Sequence, residues 1–172
     1  MHKHLVEIKA RTGEPDRLRR QLLDLGADFR GTDHQIDRYF RVAEGRLKLR
    51  IGTIERSLIF YRRANQAAAK DSAVTLTRLP DAATARELAD TLTAALGVWV
   101  TVDKEREIYF IENVKFHVDR VAGLGTFVEI EAIGNSPDDR PRLQAQVAGY
   151  RRALGISDEA LVAGSYSDLL TA

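Results

Sequence analysis

Charged and apolar side chains alternate along two stretches of the chain. In AEGRLKLRIG, residues 43–52, a base occupies every second position from Arg46 to Arg50. In GTFVEIEAIG, residues 125–134, Glu129 and Glu131 alternate with apolar residues. Because successive side chains of a β strand point to opposite faces, each stretch predicts a strand with one apolar face and one charged face.

The same alternation, interrupted by glycines, predicts strands along most of the chain. The predicted strands span residues 3–11, 35–42, 45–52, 56–63, 74–78, 98–111, 114–121 and 126–133. Residues 64–73, ANQAAAKDSA, are rich in small side chains and are predicted to form a loop. Tight hairpin turns are expected at Glu44-Gly45 and at Glu112-Asn113.

Leucines at helical spacing predict two longer helices between the groups of strands, and Ser136-Pro137 is predicted to open a third. Their predicted limits are Pro15 and Gly26, Asp81 and Gly97, and Ser136 and Leu154. Ser157 is predicted to cap a last short helix before SYSDLL, residues 165–170. Strands joined by hairpins, with helices between groups of them, predict an α+β fold built on a large antiparallel sheet or a closed barrel.

Length and composition limit the class of protein. At 172 residues the chain is expected to form a single domain, residues 1–172. The 26 basic and 25 acidic residues nearly cancel, which argues against a general nucleic-acid-binding protein. The absence of cysteine excludes disulfides and thiolate metal sites. Without a secretory signal or an apolar run of about 20 residues, a cytoplasmic protein with no membrane partner is expected.

Charges of one sign repeat on the faces of several predicted strands. The bases are Lys9, Arg11, Lys48, Arg50, Arg62, Lys104 and Arg106, and the carboxylates are Glu7, Asp119, Glu129 and Glu131. A half-buried sheet commonly has one solvated polar face, and this simple interpretation is adequate for any single strand. Repetition of one sign on several strands, with helices available to cover the apolar faces, favours a charged interior instead.

A charged interior needs a partner of matching charge, since desolvated bases without partners repel one another. A polyanion supplies that partner, and arginine suits phosphate because its planar guanidinium binds two oxygens. The carboxylates are hard oxygen ligands of the kind that Mg²⁺ and Mn²⁺ prefer. The pattern therefore predicts a triphosphate in a basic tunnel, with a divalent metal ion at one end.

The charged strands also belong to an ordered set of motifs that resembles a known family. In chain order the motifs are VEIKAR (6–11), HQIDRYF (34–40), GRLKLR (45–50), YRR (61–63), KERE (104–107), HVDRVAGLGTFVEIE (117–131) and SYSDLL (165–170). No motif is specific by itself, but the ordered set resembles the CYTH superfamily nearly from end to end. This group contains class IV adenylate cyclases and thiamine triphosphatases, and its members are also called triphosphate tunnel metalloenzymes.

The resemblance implies an eight-stranded antiparallel β-barrel that forms a tunnel, with flanking helices and metal-dependent chemistry on triphosphates. It implies that Mg²⁺ or Mn²⁺ is held by Glu7, Asp119, Glu129 and Glu131. Triphosphate contacts are expected from Lys9, Lys48, Arg50, Arg62, Lys70, Lys104 and Arg106. The residues expected to act in catalysis are Lys9, Arg62 and Asp119.

One position departs from the family pattern. The signature ExExK would begin at residue 5, which is Leu5 in this chain, so only Glu7 and Lys9 of the signature remain. Since Mg²⁺ readily keeps waters in place of protein ligands, metal binding is expected to survive, with one ion rather than two. The departure leaves the rate and the reaction open.

Two reactions fit these residues, and hydrolysis ranks slightly above cyclisation. Attack of water on the terminal phosphorus would make the protein a triphosphatase for an organic or inorganic triphosphate, such as tripolyphosphate, thiamine triphosphate or ATP. Attack by the ribose 3′-hydroxyl of ATP would make it a class IV adenylate cyclase that forms cyclic AMP and pyrophosphate. Cyclisation ranks second because no adenine pocket is recognisable in the sequence.

Functions without catalysis are weaker alternatives. The Leu5 departure leaves open a triphosphate- or polyphosphate-binding protein that has lost its activity. An oligonucleotide-binding barrel ranks low, and no nucleic-acid partner is expected, because the bases alternate with leucine and isoleucine rather than with aromatic residues. A homodimer through the apolar strand faces is left open. His117 shares a strand face with Asp119 and is a further candidate for a phosphate or acid–base contact.

Overall fold

The computed structural model describes residues 2–62 and 68–172. Its strands are β1 (His2–Arg11), β2 (Asp28–Phe40), β3 (Arg46–Gly52), β4 (Arg56–Arg62), β5 (Lys70–Arg78), β6 (Val98–Ile111), β7 (Val114–Val121) and β8 (Gly125–Gly134). Its α-helices are α1 (Pro15–Asp24), α2 (Ala82–Leu96), α3 (Arg140–Ala153) and α4 (Tyr166–Leu170). A single turn of 3₁₀ helix, Pro137–Asp139, leads into α3.

The eight strands form a closed antiparallel barrel. The order around the barrel is β1-β5-β4-β3-β2-β6-β7-β8, and β8 pairs with β1 to complete the circle. Closure pairs the strands that would otherwise be the edges of an open sheet. The predicted α+β fold, an eight-stranded antiparallel barrel with flanking helices, is therefore confirmed.

Two predicted strand boundaries are wrong. β2 begins at Asp28 rather than at residue 35, because the long strand β6 pairs with it from Asp28 to Phe40. A register shift beside Gly31, with φ of 115°, lets the turn-like sequence DFRGTDH continue the strand. β5 begins at Lys70 rather than at residue 74, since residues 70–73 pair with β1. Residues 63–67, which include the first four residues of the predicted loop, lie outside the described residues.

The short helix predicted to follow Ser157 and to precede SYSDLL is not formed, since residues 158–160 form a turn. Ser165, not Ser157, precedes α4. The Ser165 hydroxyl accepts a hydrogen bond from the backbone N–H of Asp168, and the Asp168 carboxylate accepts one from the backbone N–H of Ser165. This reciprocal capping box satisfies donors that a helix N-terminus leaves free, so SYSDLL itself forms the helix. Among the described residues, no helix has the length and apolar content required to cross a bilayer.

The apolar outer faces of the strands are covered by helices. Helices α1 and α3 pack on β1, β7 and β8, and the buried side chains of this core include Val6, Ile8, Leu18, Leu22, Phe116, Ile130, Leu143 and Val147. On the other side of the barrel, α2 packs on β2 and β3 through Leu88 and Leu92. The helices thus bury the apolar strand faces and leave the charged faces in the barrel interior.

One end of the barrel interior is filled by apolar and aromatic side chains. Tyr39, Val102, Val121, Phe127 and Tyr166 pack together there. The rings of Phe127 and Tyr166 lie edge to face, with centroids 5.0 Å apart. Helix α4, which carries Tyr166, therefore forms the floor of the interior.

We expect Phe116→Ala to lower the free energy of unfolding by about 3–5 kcal/mol, because it removes a large ring from the outer core. Phe116 is fully buried and packs edge to face on Tyr150 of α3, with centroids 5.0 Å apart. Phe29, which is 48% exposed, gives the matched control Phe29→Ala. Urea denaturation measures the free energy of unfolding of both variants. Equal losses of this free energy would contradict the assignment of Phe116 to the core.

Candidate active site

The inner faces of all eight strands line a cavity of about 560 Å³. Tyr166 lies at its deep end, and the exposed residues Ile54 and Arg78 lie at its mouth. One wall is largely apolar and is formed by β1, β4 and β5, with Leu5, Ile59, Val74 and Leu76. The remaining wall carries most of the charged side chains. The cavity therefore has an apolar and an ionic side.

The first charged group, here named the Asp37 cluster, consists of Asp37, Lys48, Arg50 and Lys104. The Asp37 side chain is 1% exposed. Its carboxylate accepts hydrogen bonds from Lys48 Nζ and Lys104 Nζ, each at 2.8 Å. Arg50 donates two more, from Nε at 2.8 Å and from Nη2 at 2.9 Å. Three cations around one carboxylate leave the cluster with a formal charge of +2.

The excess of cations shifts the pKa values within the Asp37 cluster. Burial alone would raise the pKa of Asp37, but the three cations outweigh burial and hold it well below its usual range. Burial lowers the pKa of Lys104 to about 7; Asp37 opposes this shift, and the neighbouring Arg50, Arg106 and Lys48 add to it. One carboxylate cannot fully stabilise three ammonium and guanidinium groups, so Lys104 is the cation that gives up its proton near neutral pH.

The second group, here named the Glu129 cluster, consists of Lys9, Arg106, His117, Asp119, Glu129 and Glu131. Glu129 forms an ion pair with Lys9 through Oε1, and its Oε2 accepts from Arg106 Nη2 at 2.8 Å. The ring nitrogen Nδ1 of His117 lies 3.0 Å from Glu129 Oε2 and 3.7 Å from Glu131 Oε1. Burial, and then Arg106, lower the pKa of His117, so the imidazole is uncharged at neutral pH. Two cations against three carboxylates give the cluster a formal charge of −1.

Asp119 is the member of the Glu129 cluster that does not line the main cavity. It is fully buried and accepts hydrogen bonds from Arg106 Nε at 2.7 Å and from Tyr166 Oη at 2.7 Å. Burial would raise the pKa of Asp119, but the Arg106 guanidinium outweighs burial and lowers it. Asp119 therefore fixes the orientation of Arg106 and ties it to the floor helix.

A third group of ion pairs, formed by Lys115, Glu55 and Arg50, lies nearer the mouth of the cavity. Lys115 Nζ contacts Glu55 Oε1 at 2.5 Å, and Glu55 Oε2 lies 3.2 Å from Arg50 Nη1. Burial alone would raise the pKa of Glu55, but Lys115 and Arg50 hold it well below its usual range. Through Arg50, this group connects to the Asp37 cluster.

The ion pairs correct one step of the sequence interpretation. A polyanion is not required to compensate the interior bases, because carboxylates of the barrel already do so. Asp37 and Glu55, which supply much of this compensation, are absent from the predicted site. A bound anion would therefore join a network of ion pairs that exists without it.

Most of the predicted site residues meet in the cavity. Those that line it are Glu7, Lys9, Lys48, Arg50, Lys104, Arg106, Glu129 and Glu131. Glu7 lies opposite Glu131 in the pairing of β1 with β8. Leu5 also lines the cavity, at the position where the family signature would place another carboxylate.

Three predicted site residues do not line the cavity. Asp119 is one of them, as described above. Lys70 is buried, and its Nζ donates to the carbonyl oxygens of Val162 and Gly164, at 3.2 and 3.3 Å, so it supports the segment before α4. Arg62 lies on the outer face of β4, with its side chain 66% exposed and 3.2 Å from Glu44. The predicted contribution of Arg62 to the tunnel face is wrong, because Ser57, Ile59 and Tyr61 are the β4 residues that line the cavity.

Sequence reasoning missed several lining or supporting residues. Asp37 lies two residues from Gln35 and Tyr39 on one strand face, so the alternation in QIDRYF could have indicated it. Lys115 shares the face of His117 and Asp119 in the same way. Glu55 lies in the turn between β3 and β4, where no periodicity indicates the direction of a side chain.

A candidate metal centre lies in the Glu129 cluster. His117, Glu129 and Glu131 each offer one ligand atom, and these atoms lie within 4.8 Å of one another. Carboxylate oxygens and an uncharged imidazole nitrogen are donors that suit a divalent cation. The formal charge of the cluster also favours a cation, whereas that of the Asp37 cluster favours an anion.

The closed eight-stranded barrel and its charged interior agree with the fold expected from the sequence. The family model described as the CYTH domain matches residues 3–166, and the chain belongs to this family. The sequence-based assignment is thereby confirmed. None of the curated proteins compared with the chain matches it significantly.

Solved structures share this fold. The chain is 26% identical to the PH1012 protein from Pyrococcus horikoshii OT3, with 96% of this chain and 98% of that chain covered and a TM-score of 0.76. A candidate adenylate cyclase from Vibrio parahaemolyticus is 16% identical, with 99% of both chains covered and a TM-score of 0.80. HpAC1 from Hippeastrum, first regarded as an adenylyl cyclase and found to have a dominant triphosphatase activity, is 15% identical; 90% of this chain and 88% of that chain are covered, with a TM-score of 0.62.

We expect Asp37→Asn to lower the free energy of unfolding by about 3–5 kcal/mol, because it leaves three buried cations without their carboxylate. Asp103→Asn is the matched control, since Asp103 is exposed and pairs with His34 on the barrel surface. Denaturation in urea at pH 6 compares the two variants. A loss for Asp37→Asn no larger than that of the control would show that the Asp37 cluster does not depend on its carboxylate.

We expect tripolyphosphate binding to take up a proton above pH 7. A bound phosphate favours the ammonium form of Lys104, whose pKa is about 7 in the free protein. The affinity should therefore fall as the pH rises from 7 to 9, by up to about tenfold per pH unit. Calorimetry in buffers of different ionisation enthalpy measures the uptake.

Lys104→Arg provides the control for this pH dependence, because a guanidinium stays protonated throughout the range. Titration of the ligand itself is common to both proteins. An identical proton uptake and pH dependence in both would exclude Lys104 as the titrating group.

Proposed function

We propose that this protein is a divalent-metal-dependent phosphoryl-transfer enzyme that hydrolyses an organic or inorganic triphosphate. The observation that carries the proposal is the meeting of two clusters of opposite formal charge in one cavity. The Asp37 cluster suits the phosphates of a substrate, and the Glu129 cluster suits a cation. Membership of the CYTH family supports the same assignment.

The bases of the Asp37 cluster can bind phosphate without releasing Asp37. An ammonium group has three N–H donors and a guanidinium group has five, so Lys48, Lys104 and Arg50 keep donors beyond those that Asp37 accepts. Asp37 restricts the orientation of all three side chains before a ligand arrives. Preorganised donors of this kind stabilise charge at low reorganisation cost, which is the main requirement of phosphoryl transfer.

Glu129 and Glu131, with Glu7 beside them, are the residues proposed to hold Mg²⁺ or Mn²⁺. The ion would neutralise charge on the phosphate oxygens and supply a water of lowered pKa as the nucleophile. Leu5 adds an apolar side chain where the family signature has a carboxylate. This composition supports one bound ion rather than two.

The three residues predicted to be catalytic have different environments. Lys9 pairs with Glu129, and its Nζ lies 3.8 Å from the centroid of the Tyr166 ring. Its position in the cavity lining supports the proposed contact with a phosphate. Asp119 acts through Arg106 and is proposed as a positioning residue. The exposed position of Arg62 does not support a catalytic role.

Class IV adenylate cyclase activity is the second candidate. The apolar wall formed by Leu5, Ile59, Val74 and Leu76 favours an organic group next to the phosphates, and a nucleobase is one such group. Sequence reasoning found no adenine pocket, because these residues come from three separate strands. The wall fits the organic part of a triphosphate ester in either reaction.

The first test offers tripolyphosphate, thiamine triphosphate and ATP separately, with Mg²⁺ or Mn²⁺ and with neither. We expect metal-dependent phosphate release, which Glu131→Gln should lower at least tenfold because the variant loses a charged metal ligand. Glu112→Gln is the control, since Glu112 lies in the turn between β6 and β7. Cyclic AMP with pyrophosphate would establish the second candidate, and tripolyphosphate binding without any product would indicate a non-catalytic protein.

A second test compares two arginines of β3 and β4. We expect Arg50→Gln to raise the KM for the triphosphate at least tenfold, because Arg50 lines the cavity. Arg62→Gln should change kcat and KM less than threefold, because its side chain lies on the outer face. Steady-state kinetics measures both variants; a large loss for Arg62→Gln would restore the predicted catalytic role of this residue.

A further inference from the structure

The proposed metal centre contains a nitrogen donor that the predicted set of carboxylate ligands lacks. His117 lies on β7 between Lys115 and Asp119 on the inner strand face, and it is 1% exposed. It lines the cavity together with Glu129 and Glu131. Asp119, which was predicted as a ligand, is instead occupied by Arg106 and Tyr166.

Two of the three separations between these donors are close to those of a coordination sphere. Bonds of about 2.0–2.2 Å from a metal ion to nitrogen and oxygen place adjacent ligand atoms roughly 3.0–3.6 Å apart. The separations of His117 Nδ1 from Glu129 Oε2 and Glu131 Oε1 are 3.0 and 3.7 Å. An ion could therefore be accepted with small side-chain adjustments.

The other ring nitrogen of His117 has a different environment. Its Nε2 is buried and has no hydrogen-bond partner among the described residues. A buried polar atom without a partner is costly in a structural histidine. Because Nδ1 is the ring atom that lies near Glu129 and Glu131, an ion bound there would leave the proton on Nε2, so the proposal rests on the separations of Nδ1 from these carboxylates.

Imidazole changes the selectivity of a site. Mg²⁺ prefers oxygen ligands and binds imidazole weakly, whereas the affinity of nitrogen-containing sites rises from Mn²⁺ towards Co²⁺ and the later ions. We propose that His117, Glu129 and Glu131 form a mixed nitrogen–oxygen centre that binds Co²⁺ more tightly than Mn²⁺, and Mn²⁺ more tightly than Mg²⁺. This inference rests on the cation-binding part of the proposed function and names the residue that sets the ion preference.

The test measures metal binding in the absence of any triphosphate. Co²⁺ is titrated into the protein and followed by its visible absorption, and Mn²⁺ and Mg²⁺ are titrated by calorimetry. His117→Gln is expected to weaken Co²⁺ binding at least tenfold and Mg²⁺ binding less than threefold, because glutamine offers an oxygen in place of the nitrogen. His34→Gln is the control of the same type, since His34 is exposed and pairs with Asp103.

Two further measurements keep the result interpretable. His2 and His4 lie on one face of β1, so the titrations are repeated in a chain in which both are glutamine. In the unmutated chain, proton NMR with bound Co²⁺ should show a strongly shifted exchangeable imidazole resonance, whether or not His117→Gln folds. Absence of that resonance, or equal Co²⁺ affinity in folded His117→Gln, would overturn the proposal.

Failure of the inference and failure of the proposed function have different signatures. Co²⁺ binding that depends on His117, without hydrolysis of any triphosphate, would leave the metal centre in place and remove the enzymatic assignment. Hydrolysis of a triphosphate, together with Co²⁺ binding that does not depend on His117, would support the enzymatic assignment. It would also show that carboxylates alone hold the ion.

Discussion

The interior of this barrel depends on the ion pairs that one carboxylate makes with three cations. Asp37 bonds Lys48, Arg50 and Lys104 where water is largely excluded. An isolated charge in such a place would be strongly unfavourable, and so would three cations without an anion. The carboxylate makes the concentration of bases compatible with folding, yet leaves the positive excess that an anionic ligand can use.

The opposite arrangement occurs a few residues away on β6, β7 and β8. Arg106 stands between Asp119 and Glu129, so here one cation is surrounded by carboxylates. Because Lys104 and Arg106 are neighbours on the same face of β6, the two clusters are held at a fixed separation by a single strand. The geometry that would serve phosphate and metal is therefore a property of the sheet rather than of flexible loops.

The alternation of charged and apolar residues predicted the strands and much of the site. It assigned side chains to a face correctly only where the two faces of a strand differ in polarity. In RLKLRIG the bases and the apolar residues separate cleanly, and Lys48 and Arg50 were placed correctly. In RSLIFYR both faces are largely apolar, because α2 covers Leu58 outside while Ile59 and Tyr61 line the interior. Arg62 could not be assigned to a face from such a pattern. The small-residue composition around Lys70 likewise concealed a strand whose pairing with β1 is set by distant residues.

Closure of the barrel has a consequence for how the charged interior forms during folding. The pair between Lys9 and Glu129 joins residues 120 positions apart, on strands that meet only when the last strand reaches the first. Contacts of such long range form late, since loop-closure entropy must be overcome first. The hairpins that carry Lys48, Arg50 and Arg106 are local by comparison. The hairpin of β2 and β3, with Asp37, Lys48 and Arg50, and the hairpin of β7 and β8, with His117, Glu129 and Glu131, can thus assemble early. Lys104 and Lys9 complete the two clusters only when strands distant in the sequence pair, β6 with β2 and β8 with β1.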